Sequence, residues 1–319
     1  MSLRPDQIEA FFKAVNERTP PAPLSRPISG DQTRYVMEQL PSAFESIGMK
    51  TVSDQALRAA LISDTYLYTL RERALYVQPA EMLSRKFFRF RARMPVLHTT
   101  LVRLFTDAAG VGQHKLRLWN PFCGAGAESY SLAAMARLAY NATGAHISGI
   151  EVIGTDVLPG AIKYAEAAVY EYRRAEWREY VEKLTALCGP EAVGDEPELP
   201  ISTKHLPPGV DPFFTVVRTE GGYAITPGPT LTQITKFRFV NPLRLSELGQ
   251  LGSFDAVLCL SPTPIGDTPQ AKQFRTALAY AVRPGGYLIL RETTEPMFDL
   301  TGPGKDFELL EPGLFCRQR

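Results

Sequence analysis

Between residues 115 and 170 short apolar runs alternate with helical stretches, and a glycine turn sits at the first junction. No other feature constrains the fold as much. Leu116-Arg117-Leu118-Trp119 reads as a strand running into Asn-Pro-Phe-Cys-Gly-Ala-Gly. A helix over 128–141 follows, stopped by Gly144. Ile150 to Thr155 is a second apolar strand, closed by Asp156, and the next helix carries Ile162, Ala165 and Val169 on one face. Strand, helix, strand, helix predicts an α/β, doubly wound, parallel sheet covered by helices.

The same reading extends in both directions. Phe237 to Val240 resumes the main sheet, and Phe254 to Leu260 is an apolar strand of the kind buried on both faces. A helix over 270–282 leads through Arg-Pro-Gly-Gly, read as a helix-to-strand turn, into a strand at Tyr287–Leu290, and Gly313 to Cys316 reads as a last edge strand. Thr215–Val217 and Tyr223–Ile225, separated by Gly221-Gly222, predict a hairpin. The stretch 187–212 is rich in Pro, Gly and acids and reads as an irregular insertion. Upstream, Pro5 to Val15 has helical spacing, and the four prolines of 17–27 exclude helix and central strand. From about Gln32 to Arg93 the pattern is helical, with Ser53 and Asp64 as N-cap candidates. The expected organisation is a helix and Pro-rich linker over 1–30, a helical domain over 31–110, and the sheet domain over 111–319 with a small β-subdomain inserted at about 185–236.

Composition narrows the function. With 35 basic and 34 acidic side chains the net charge is +1, which argues against a chain whose main task is coating nucleic acid or anionic membrane. The four cysteines and four histidines are scattered with no C-x-x-C pair, which disfavours a metal site and suits a reducing cytoplasm. No apolar run approaches the roughly 18 residues of a membrane span, and the first fifteen residues lack the apolar core of a signal peptide.

Three motifs carry chemistry. Gly124 and Gly126 give a small-residue turn between strand and helix, where a ligand can approach the backbone, or simply a tight turn. A dinucleotide site would want a third glycine for the pyrophosphate, and Ser129 stands there instead. Asp156 closes the second strand at the carboxyl edge of the sheet, where doubly wound folds bind ligands. Its carboxylate there can accept both hydroxyls of a ribose; the competing reading is a helix N-cap. Third, Val282-Arg-Pro-Gly-Gly-Tyr287 after an apolar Phe-Asp-Ala-Val-Leu strand resembles S-adenosylmethionine-dependent methyltransferases. That cofactor has ribose and adenine but no phosphate, so a two-glycine loop suffices. The basic run Arg85, Lys86, Arg89, Arg91, Arg93 has three readings: a solvated helix face, a groove for an acidic protein segment, or, least in keeping with the net charge, nucleic acid.

Six stretches in order are similar to the chemotaxis-receptor methyltransferases (CheR), which methylate receptor glutamates. They are Leu83-Ser-Arg-Lys-Phe-Phe-Arg89, Leu118 to Leu132, Gly154-Thr-Asp-Val-Leu158, Phe237-x-Phe-x-Asn241, Phe254 to Cys259, and the Pro-Gly-Gly strand. The likeness covers roughly residues 62–319. It implies a Rossmann-like S-adenosylmethionine-dependent methyltransferase sheet with an N-terminal helical domain and a small inserted β-subdomain. It implies S-adenosylmethionine as cofactor and a protein partner, a chemoreceptor or related signalling protein. It also implies roles: Asp156 on the ribose; the Gly124–Gly126 loop with Cys123 and Glu128 at the methionine end; Asn241 and Pro242 at the adenine; Val157 and Leu260 against the cofactor; and Arg89 as the catalytic residue, handling the substrate carboxylate.

The chain also departs from the family. Leu260-Ser261 replaces Arg-Asn, and Ile265 replaces a tyrosine beside the reacting methyl. Ala127 replaces the first of two glutamates, Arg85 stands where threonine is usual with Ser84 beside it, and Arg291-Glu292 replaces Gly-His. The cofactor scaffold is thus better kept than the substrate-facing wall. A protein-carboxylate methyltransferase is expected, or else a catalytically impaired regulator that binds the cofactor or a partner. Ser261-Pro-Thr-Pro264 is weakly similar to the Asn-Pro-Pro-Tyr loop of amino methyltransferases, without its aromatic residue, so a third reading is a methyltransferase with another substrate.

Overall fold

The computed structural model describes residues 86–89, 93–110, 115–157, 159–173, 209–241, 244–260, 269–291 and 306–318, with isolated positions between 4 and 58 and at 175 and 178. The expected linker, Asp64, Arg85, Arg91, Pro242, the 261–268 loop and most of the 187–212 insertion lie outside the described residues. In the expected N-terminal helix, the described positions between 6 and 14 are helical. Leu57 N–H donates to Ser53 O at 2.9 Å, as at the start of a helix.

A seven-stranded sheet organises the chain. Its strands are β1 (Lys115–Pro121), β2 (Gly149–Asp156), β6 (Thr235–Phe239), β7 (Phe254–Cys259), β8 (Val282–Leu290), β9 (Phe307–Glu311) and β10 (Leu314–Arg317), in spatial order β6-β2-β1-β7-β8-β10-β9. The first five are parallel; β10 runs antiparallel to both neighbours. A second, antiparallel sheet of order β3-β5-β4 joins β3 (Tyr170–Arg173), β4 (Phe214–Thr219) and β5 (Gly222–Pro227). This is an α/β Rossmann-like architecture with a mixed main sheet and a small antiparallel sheet. Strand order reverses between β1 and β7, the position at which such sheets open a ligand crevice.

Alternation along the strands explains the two cores. Leu116 and Leu118 of β1, Ala256 and Leu258 of β7, and Tyr287 and Ile289 of β8 face one cluster, which includes helices α1 (Met94–Gly110) and α2 (Ala127–Thr143). Trp119, Val257, Cys259, Leu288 and Leu290 face the other, with Phe274, Ala277 and Leu278 of α6 (Pro269–Ala281). A side-chain period of two sends neighbouring residues to opposite faces, and burial on both faces accounts for the largely apolar β7, where Asp255 is the one polar residue. Trp119 stacks on Phe254 at 5.4 Å. Three shorter helices, α3 (Pro159–Ala167), α4 (Pro229–Ile234) and α5 (Leu245–Gly249), complete the connections.

The structure corrects three sequence readings. The second helix ends at Ala167; Ala168 turns to φ 54°, Val169 is 45 % exposed, and Tyr170 begins β3. The Arg-Pro-Gly-Gly segment is part of β8, where Gly285 at φ 76° accompanies a register shift against β7. The last strand is interior, since β10 inserts between β8 and β9 and leaves β9 at the edge.

Candidate functional site

Four connections leave the carboxyl ends of β1, β2, β6 and β7 on one rim of the sheet, and they carry most of the residues singled out above. After β1 the chain turns sharply, with Phe122 at φ 53°, Gly124 at φ 53° and Gly126 at φ 87°. Gly126 is required on two counts. Its φ belongs to the left-handed region, and a Cβ there would lie 2.7 Å from Ala165 Cβ and 2.8 Å from the Phe237 ring. Gly154 of β2 is equally confined, since a Cβ would meet Ser129 Oγ at 2.6 Å.

Asp156 shapes this loop directly. Its Oδ2 accepts the Gly124 N–H at 2.8 Å, while Cys123 N–H donates to Thr155 O at 2.9 Å. Helix α3 begins at Pro159, two residues later than an Asp156 N-cap would require, so the capping reading fails. An ionised carboxylate has about four acceptor sites, so Asp156 can hold Gly124 and other donors together. Val240 N–H donates to Asp156 O at 3.1 Å, which brings the end of β6 beside the acid, and the buried Asn241 follows. Val157 and Leu260 are buried against the same rim.

Glu128 lies in the first turn of α2, behind Gly126. Burial pushes its carboxyl up to about 7, opposed by the Arg89 guanidinium and the Leu260 backbone N–H. Its Oε1 is buried and makes no hydrogen bond. Burial also pushes the Cys123 thiol well up, and the charges of Asp156 and Glu128 add to that, so this thiol stays protonated. Among the described residues no three His, Cys, Asp or Glu side chains are placed to hold a metal ion, and no helix is long and apolar enough to cross a membrane.

Arg89 reaches Glu128 because the segment before it is pinned. Phe88, at φ 51°, donates its N–H to Ser131 Oγ at 2.9 Å, and that hydroxyl donates to Ala127 O. Phe87 packs edge-on against Tyr170 at 4.8 Å and Phe214 at 5.1 Å, which ties the turn to the small sheet. The described members of the basic run are therefore not a solvated helix face: residues 86–89 form a turn, Lys86 and Arg93 are buried, and Arg89 is half-buried.

Several contributors carried no local signal. Ser129 Oγ donates to Asn120 Oδ1 at 2.7 Å, and Asn120 Nδ2 donates to Leu258 O at 3.0 Å, locking α2 to β1 and β7. Tyr170 Oη donates to Ala125 O at 2.7 Å and braces the loop from the small sheet. Glu247 accepts the Asn241 N–H at 2.9 Å.

The donor set fits S-adenosylmethionine. The ammonium and ribose hydroxyls of that molecule are hydrogen-bond donors, and the rim offers two buried carboxyls, one with an oxygen that has no bond. Residues 84–184 match the family described as "CheR methyltransferase, SAM binding domain". Over those residues the chain is similar to the S-adenosylmethionine-binding domain of that family. No curated protein matches the chain. Among solved structures, the magnesium protoporphyrin IX methyltransferase of Synechocystis PCC 6803 with bound SAM is 13 % identical, with 85 % of this chain and 99 % of that chain covered and a TM-score of 0.34. A protein-L-isoaspartate O-methyltransferase from Plasmodium falciparum, described as putative and in complex with S-adenosyl-L-homocysteine, is 13 % identical, covering 81 % and 85 %, at 0.31. The arsenic(III) S-adenosylmethionine methyltransferase of Chlamydomonas reinhardtii is 15 % identical, covering 55 % and 38 %, at 0.27. The chain spans less than half the length of that protein, and likewise 47 % of a structure concerned with echinomycin biosynthesis.

Proposed function

We propose that the chain transfers the methyl group of S-adenosylmethionine to a carboxylate of a protein, as a cytoplasmic relative of the chemoreceptor glutamate methyltransferases acting in a chemosensory pathway. The observation that carries this reading is the pairing of Glu128, whose Oε1 is buried without a hydrogen bond, with Arg89, on the same rim as Asp156.

In this reading Asp156 accepts the ribose hydroxyls while its other duty, holding Gly124, keeps the loop open to the ligand. Glu128 takes the cofactor ammonium, and Cys123, Gly124 and Gly126 offer backbone to the methionine end. Asn241 and Pro242 hold the adenine, and Val157 and Leu260 lie against the cofactor. When bound, S-adenosylmethionine supplies a methyl group on a sulfonium centre. An acceptor carboxylate is already ionised at pH 7, so the chain needs no general base. Arg89 orients that carboxylate for in-line approach, and orientation is where most of the acceleration is available. Residues 111–319 then form the methyltransferase domain, with the helical segment 31–110 ahead of it.

Calorimetry with S-adenosylmethionine and its demethylated product, followed by transfer of labelled methyl groups to cell extract, tests this. Base-labile label on a membrane receptor is the expected result. Absence of cofactor binding overturns the proposal. The altered wall favours a second reading: Leu260 puts a buried apolar side chain where the family has arginine. Binding without any labelled product would identify a regulator that senses the cofactor or a partner.

A further inference from the structure

We propose that Arg93 receives a second carboxylate of the methyl acceptor, so that the acceptor is an acidic segment rather than one with a lone acidic side chain. The inference rests on the methyl-transfer reading above and adds a subsite to it. Arg93 is only 5 % exposed, and neither its Nε nor its Nη2 has a hydrogen-bond partner. No other side chain among the described residues leaves two buried guanidinium nitrogens unmatched. A guanidinium carries five donors and stays charged, and burying a charge without a partner is costly. Acceptors are close yet unused. A Cβ built on Gly313 would lie 3.2 Å from Arg93 Nη2, 2.7 Å from Leu290 O and 3.0 Å from Arg291 O. The group is therefore held beside the end of β8 without being bonded there.

Its place in the fold connects it to the candidate site. Leu290 pairs with Cys259, the residue before Leu260, whose backbone N–H faces Glu128. Arg93 thus occupies the same carboxyl rim, roughly one strand spacing (~5 Å) beyond the strand that leads to Leu260. It directly precedes α1, a 17-residue helix with no acidic residue in its first turn. The positive end of a helix beside an uncompensated guanidinium favours an anion from both sides. Arg89, four residues earlier, already has Glu128 as a charge partner. Arg93 is left for a different anion, and arginine matches a carboxylate with two parallel hydrogen bonds.

Full-length protein, with and without S-adenosylhomocysteine, is titrated with an acetylated, amidated tetraglutamate peptide. The tetraglutamine peptide and inorganic phosphate serve as comparisons at matched ionic strength. Tetraglutamate is expected to bind and the comparisons are not; Arg93→Met weakens binding at least ten-fold and Arg93→Lys weakens it less. Without peptide, Arg93→Met melts above the wild type, because it removes an uncompensated buried charge; a guanidinium that merely braced the fold would give a lower melting temperature. Unchanged peptide affinity in Arg93→Met, or phosphate binding as tight as the peptide, overturns the proposal. If Arg93→Met fails to fold, the guanidinium serves the fold and the proposal falls unless Arg93→Lys, folded, shows the affinity loss. Should the wild type bind peptide but not S-adenosylhomocysteine, the methyl-transfer reading is lost while the carboxylate subsite stands.

Discussion

The carboxylate of Asp156 accepts the backbone N–H of Gly124 at 2.8 Å, so the acid that closes the second strand also sets the shape of the loop that follows the first. Two contributions of one side chain can be separated by substitution. Asp156→Ala removes both, and is expected to lower stability by about 1–3 kcal/mol for the orphaned amide and to weaken S-adenosylhomocysteine binding more than ten-fold. Asp156→Asn keeps an oxygen for Gly124, so its urea midpoint should stay close to wild type while calorimetry still shows weaker binding. Equal binding by wild type and Asp156→Asn would mean that the acid shapes the loop and does not grip a ribose.

Glu128 predicts a proton linkage. Its carboxyl is raised from 4.5 to about 7, chiefly by burial. A raised pKa contributes stability that is fully present below the unfolded value and is lost as pH rises through the folded one. Relative to Glu128→Gln, the ligand-free protein should therefore lose stability between about pH 4.5 and pH 7, by an amount on the order of 3 kcal/mol. An ammonium beside the carboxyl would hold it ionised, so cofactor binding near pH 7 should release a proton. Binding heats that vary with buffer ionisation enthalpy in wild type, and not in Glu128→Gln, are the expected signature.

The strand–helix succession was legible because its periods are local: alternation in β1, an apolar run in β7, glycine after α2. The rest depended on distant partners. Nothing in Ala168 announces φ 54°, so Val169 read as helical although the chain had already turned into β3. The last strand was visible after Gly313 and read as an edge, but its interior place is decided by the pairing of Leu314 with Ile289 on β8. At the site, Gly124 and Asp156 stood out because glycine turns and strand-end acids are recognisable types, and Glu128 only through the family resemblance. Asn120, Ser129, Ser131 and Tyr170 did not, because ordinary polar residues matter here only through bonds that folding creates.

Two glycines with positive φ should respond differently to alanine. Gly126 and Gly144 both lie in the left-handed region, but a Cβ on Gly126 would collide with Ala165 and Phe237, whereas one on Gly144 meets nothing within 4 Å. Gly144→Ala should cost about 1 kcal/mol, the conformational term alone. Gly126→Ala adds overpacking and should cost about 2 kcal/mol more than Gly144→Ala, with loss of cofactor binding as the loop shifts. Urea unfolding of the pair provides the check, and equal losses would contradict the packing argument.

Arg89 faces a carboxyl that belongs to the protein as well as, by proposal, one that belongs to the acceptor, and the two duties leave different traces. Arg89→Ala should leave S-adenosylhomocysteine affinity within about three-fold while reducing methyl transfer at least ~100-fold, because the loss falls on orientation of the acceptor. The guanidinium also lowers the Glu128 pKa. Its removal must then raise that pKa above about 7 and move cofactor-linked proton release to higher pH. Adding Glu128→Gln to Arg89→Ala should abolish the proton release and leave the transfer defect in place. If transfer survives in Arg89→Ala while the pH profile shifts, Arg89 is the counter-charge of Glu128 alone, and the acceptor must be oriented by other cations on the rim, Arg93 first among them.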